Sequence, residues 1–138
     1  MFVAIPAGGH LTPLLRQAKE LSRRGWRTAV ASADEARGLV AAQHPEVPFV
    51  PLGTCPGAAE RTARVQAQVS AQPDAIKGTL TMMRWAHSLW PLMYDGLRAA
   101  TAADRPDVLV VDLVTAAGMD AAEVGGIPYM VNNAHLLP

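Results

Sequence analysis

The sequence predicts an α/β fold, a doubly wound parallel sheet of about five strands in the order 3-2-1-4-5 with helices on both faces. Three observations predict it. Short apolar runs punctuate the chain, the clearest at 2–5 and 108–111, and they read as strands buried on both faces, as in a parallel sheet. Segments of helical period follow them. Strands alternating with helices argue for βαβ units, which cross over right-handedly and gather ligands at the carboxyl ends of the strands.

Phe2, Val3, Ala4 and Ile5 form the first strand, bounded by Pro6, Ala7, Gly8 and Gly9. Thr12 is placed to cap the next helix, with Pro13 at its first position and Leu14, Leu15, Ala18 and Leu21 as its apolar face. Arg23 and Arg24 suit the negative helix end, and Gly25 stops it. Residues 28–31 read as a second strand, after which Ser32 is placed to cap a short helix carrying Asp34 and Glu35 in its first turn. A third strand at 47–50 is weaker, framed by Pro45 and Pro51. Beyond a loop at 53–57, residues 58–103 form a helical insertion with Pro73 and Pro91 as boundaries or kinks. The fourth strand, 108–111, ends at Asp112. A helix over 119–124 is stopped by Gly125 and Gly126, and 128–131 makes a fifth strand.

Composition excludes several classes of function. The 138 residues suit one domain, and 50% apolar against 17% charged residues is too hydrophobic a balance for a disordered chain. Twelve basic and twelve acidic residues leave no net field to attract nucleic acid or an anionic membrane. Cys55, the one cysteine, forbids an internal disulfide and a Cys-based zinc cluster, and suits a reducing cytoplasm. The longest apolar stretch, 108–119, is interrupted by Asp112 and is too short for a membrane span, and the amino terminus does not read as a signal peptide. The four histidines are scattered, so no metal site is expected.

The chemistry is expected at the switch point between strands one and four. His10 follows strand one and Asp112 ends strand four, so the strand order would bring residues 102 apart (112 − 10) together across the crevice. A neutral imidazole can take a proton through one nitrogen while the other donates to a carboxylate that fixes the tautomer. Spacing alone favours the plainer readings, a polar loop histidine and a helix-capping aspartate.

Two blocks of sequence add specificity. The stretch AIPAGGHLTPLLRQAKELSRRGWRTAVAS resembles the start of GT-B glycosyltransferases related to UDP-glycosyltransferases and macrolide glycosyltransferases, and PDVLVVDLVTAAGMDAAEVGGIPYMV resembles a second block of that family in the right order. The resemblance covers 1–52 and 106–133, whereas 53–105 matches only in being helical and variable. It implies a Rossmann-like amino-terminal acceptor domain facing a carboxy-terminal domain that binds the nucleotide sugar. His10 falls on the family's catalytic base and Asp112 on the aspartate that orients it. Asn133 falls near a position that approaches the donor sugar, although Asn132, Asn133, Ala134 and His135 stand where many relatives have a Ser or Thr; His135 reads as a cleft group or a surface residue.

Acceptor-binding residues are expected at Gly9, Met82, Met83, Trp85 and Leu113. An adaptable Met/Trp surface in the insertion, which also holds Leu89, Trp90 and Met93, suits a lipophilic hydroxylated acceptor, though the same residue types build cores. His87 reads as an acceptor partner or a solvent-facing residue. A nicotinamide dinucleotide domain is a poor fit, because the turn after strand one is P-A-G-G-H-L-T rather than G-x-G-x-x-G. A lipid-linked amino-sugar transferase of peptidoglycan synthesis shares a G-G-H start, and a non-catalytic binding protein without a donor domain is the alternative from another class. No cofactor is expected beyond a nucleotide-diphosphate sugar as co-substrate, with the sugar and the choice between UDP and a deoxythymidine nucleotide left open. Against the family's size, the length implies an incomplete acceptor domain, an apolar cleft face and self-association through it.

Overall fold

The computed structural model describes residues 1–55, 57–71 and 74–133. Five parallel strands lie in the order β3-β2-β1-β4-β5: β1 (Phe2–Val3), β2 (Val30–Ser32), β3 (Phe49–Pro51), β4 (Leu109–Asp112) and β5 (Tyr129–Asn132). The predicted order and the doubly wound α/β class are therefore borne out. β1 is central, with Phe2 in register with Val30 on one side and Val110 on the other.

Alternation along the strands sorts the core into two layers. Phe2, Ala4, Val30 and Val110 pack on one face against Leu11, Leu14, Leu15 and Ala18 of α1 (Gly8–Arg23) and Val40 of α2 (Arg37–Gln43). Val3, Ile5, Leu109 and Val111 point the other way, onto Met93 and Leu97 of α5 (Trp90–Ala103) and Ala117, Ala121 and Ala122 of α6 (Ala116–Gly125). Both faces are dry, which is why the strands read as apolar runs. Small residues set how closely α6 sits: a Cβ on Gly118 would lie 2.6 Å from Val111 Cγ1.

The insertion forms α3 (Ala58–Ala71), α4 (Ala75–Ser88) and α5. Pro91 sits in the first turn of α5, where a missing N–H costs nothing; Pro73 lies outside the described residues. Among the described residues no helix is long and apolar enough to cross a membrane.

Several boundaries differ from expectation. α1 begins at Gly8, not after Thr12: Ala7 is extended, and its carbonyl accepts from the backbone N–H groups of His10 and Leu11 at 3.0 and 2.9 Å. Pro13 therefore lies inside the helix and removes the donor that Gly9 O would have met; Gly9 is exposed, so that carbonyl can turn to water. Ser32 is no cap, being the fully buried last residue of β2, while Ala33 leads into a 3₁₀ turn at Asp34–Ala36. β4 ends at Asp112 as expected, β2, β3 and β5 each end one residue later than expected, β1 ends two residues earlier, at Val3, and α6 starts three residues earlier, at Ala116. β3 accommodates Pro51 because it is an edge strand. Gly25 and Gly126 both take positive φ just past the ends of α1 and α6, as their helix-stopping roles require.

Candidate active site

The carboxyl ends of β1 and β4 bring the two halves of the expected pair together. His10 lies in the first turn of α1 and Asp112 is the last residue of β4, with His10 Nδ1 3.0 Å from Asp112 Oδ1. Both are buried, at 6% and 1% exposure. A carboxylate so enclosed needs every lone pair answered. Its second oxygen, Oδ2, accepts from Thr115 Oγ1 at 3.2 Å and from the Val114 N–H at 3.3 Å. Thr115 Oγ1 in turn accepts from the buried Ile5 N–H at 3.1 Å, tying the end of β1 to the turn after β4.

Thr115 was not expected from the sequence. It occupies the residue before α6 but makes no side-chain cap there, serving Asp112 instead. The available signal is a threonine three residues beyond an aspartate in a strand-to-helix turn, a pattern suited to local side-chain hydrogen bonding.

The pair opens on a cleft of about 720 Å³ lined by His10, Leu113, Val114 and Asn133 on the sheet side and by Val69, Asp74, Gly78, Thr79, Met82 and Met83 from the insertion. Of the residues expected to bind acceptor, Met82, Met83 and Leu113 line it, and Met83 and Leu113 are about half exposed. Asn133 lines it as well. A smaller pocket of about 130 Å³ shares Met83, Leu113 and Val114 with the cleft and is also lined by His87 and Trp90, whose Nε1 donates to Asp120 Oδ2 at 2.6 Å.

Two expected positions fall elsewhere. Trp85 is 6% exposed and packs in the core with Leu89 and Met93, so its side chain does not line the cleft. Gly9 sits on the exposed first turn of α1, one residue before His10, and is not among the cleft's lining residues. Its missing Cβ leaves open space, with nothing within 4 Å of where it would stand. His135 lies outside the described residues. Asp74 and Thr79 are cleft residues that sequence reasoning missed, since nothing local places the start of α4 opposite His10. Among the described residues no three His, Cys, Asp or Glu side chains cluster as a metal site would require.

No protein-family model matches the chain, and no curated protein matches it. Solved structures do, and they define a class: GT-B glycosyltransferases of natural products, the resemblance that the two sequence blocks carry. The glycotransferase of kitacinnamycin is 27% identical with a TM-score of 0.64, covering 94% of this chain and 28% of that one. SsfS6, a glycosyltransferase of Streptomyces sp. SF2575, is 19% identical with a TM-score of 0.74 over 94% of this chain and 37% of its own. The glycosyltransferase VinC, solved in complex with DTDP, is 19% identical with a TM-score of 0.63 over 94% and 33%. The chain thus spans about a third of the length of the glycosyltransferases it resembles.

Proposed function

We propose that this chain is the acceptor-binding part of an inverting glycosyltransferase that transfers a sugar from a nucleotide diphosphate to a hydroxyl of a small lipophilic acceptor. The observation that carries the reading is the buried His10–Asp112 pair at the mouth of a largely apolar cleft. With Nδ1 donating to Asp112, the imidazole presents Nε2 as its basic nitrogen. The acceptor hydroxyl gives its proton to Nε2 as its oxygen attacks the anomeric carbon. The bond to the diphosphate breaks on the opposite face, and the leaving group departs with the electron pair. Asp112 offsets the charge of the imidazolium that forms. Proton transfer of this kind contributes about 10²- to 10⁴-fold.

The donor is held by a second, nucleotide-binding half. SsfS6 in complex with thymidine diphosphate and VinC with DTDP support a nucleotide-diphosphate sugar as co-substrate. Asn133, on the cleft rim beyond β5, is the residue of this chain nearest in role to the donor sugar, and the reaction is read as metal-independent. Met82, Met83 and Leu113 supply the apolar surface for the acceptor.

The test is sugar transfer to a hydroxyl acceptor by this chain joined to a nucleotide-sugar-binding half. His10→Ala is expected to lower kcat by about 10²- to 10⁴-fold with little change in acceptor binding. Undiminished turnover by the correctly folded variant would remove His10 as the base. Acceptor binding without transfer when His10 is intact would turn the reading into that of a binding module.

A further inference from the structure

Among the described residues lining the cleft, Asp74 is the one carboxylate, and no Lys or Arg lines it. It stands at the head of α4, where its Oδ1 accepts from the Ile76 N–H at 2.9 Å. Capping occupies one oxygen and sets the carboxylate against the partial positive end of the helix, which offsets its charge only in part. Among the described residues, none of the ion pairs includes Asp74. Most of the other residues lining the cleft are apolar, Val69, Met82, Met83, Leu113 and Val114, with His10, Thr79 and Asn133 as the polar ones. Such surroundings strengthen the pull of an uncompensated carboxylate on a cation and penalise a second anion.

From this charge complementarity we infer that the cleft selects acceptors carrying an amine that is protonated at neutral pH, with Asp74 as the residue that determines the preference. The inference rests on the acceptor-cleft reading above and names the substrate class within it. The cleft's volume, about 720 Å³, lies within the range that takes a small organic molecule. The apolar wall then holds the carbon skeleton, His10 meets the hydroxyl, and Asp74 receives the ammonium group in a charge-assisted hydrogen bond.

The experiment compares two probes on the 138-residue protein: an eight-carbon primary alcohol ending in a dimethylamino group, and its isostere ending in isopropyl. Affinities come from calorimetry, and the methyl resonances of Met82 and Met83 report whether each probe sits in the cleft. Wild type is expected to prefer the amine by about 10-fold. In Asp74→Asn, which keeps the helix cap while removing the charge, the ratio of the two affinities is expected to fall to near one. Equal affinities in wild type, or a preference that survives Asp74→Asn, would overturn the inference and leave the acceptor cleft standing. Binding of neither probe would overturn the acceptor-cleft reading with it.

Discussion

The two walls of the cleft are built on different physics. The sheet wall is a closed network: Ile5, His10, Asp112, Val114 and Thr115 are joined by hydrogen bonds of 3.0 to 3.3 Å, and their polar side chains are almost wholly buried. The helical wall is held by apolar packing behind it, where Trp85, Leu89 and Met93 enter the core, while Met83 stands 54% exposed in front. A base must be held in one geometry and one tautomer, which a satisfied network imposes. A surface for varied carbon skeletons is better made of side chains that repack cheaply, and methionine is such a side chain. On the proposed reading, reaction falls to the sheet wall and selectivity mainly to the helical wall, with Leu113 as the acceptor contact on the sheet side.

The largest effect on stability expected from perturbing one wall alone follows from Thr115→Val. The methyl keeps the shape but leaves the buried Ile5 N–H without its acceptor and takes one donor from Asp112 Oδ2. Denaturant unfolding should show a loss of about 1–3 kcal/mol, and turnover should fall as the aspartate loosens. A change within about 0.5 kcal/mol would mean that the network does not hold the sheet wall. Met83→Ala should do the reverse, leaving stability within about 0.5 kcal/mol while shifting relative affinities among acceptors of different size by roughly 10-fold. Equal losses for all acceptors would put Met83 in general binding instead.

The smallest effect lies on the far end of α1, the helix that presents His10. Glu20 is partly exposed, and hydrogen bonds from Arg23 and Arg24 hold its carboxyl down to about 2 from an ordinary 4.5. A carboxyl with a lowered folded value contributes stability that is present above about pH 4.5 and lost as the pH falls toward about 2. Thermal melts of wild type and Glu20→Gln should therefore differ slightly at neutral pH and converge in acid. A gap that widens in acid would contradict the assignment.

Much of the sheet wall was legible in the sequence because burial on both faces leaves a local signature. The apolar runs located β1 and β4, and the strand order that such alternation favours carried His10 to Asp112 across 102 residues. The start of α1 was misread because Thr12 followed by Pro13 imitates a cap and first turn, whereas the extended Ala7 starts the helix earlier. The helical wall was legible in composition but not in orientation. Trp85 and Met83 are two positions apart, about 200° round a helix, so they cannot serve the same face, and only the packing of α4 decides which one enters the core. Asp74 was invisible for the same reason, since its role depends on where an insertion lands and not on its neighbours in sequence.

A base positioned by Asp112 requires that one particular nitrogen of His10 carry the proton. Nitrogen-15 NMR of the folded chain at about pH 8, above the ordinary histidine range, reads it directly. The expected result is the Nδ1–H tautomer, its proton shifted downfield by the bond to Asp112 and that shift lost in Asp112→Asn, with Nε2 unprotonated. An Nε2–H tautomer in the wild-type chain would contradict the assignment of His10 as a base positioned by Asp112.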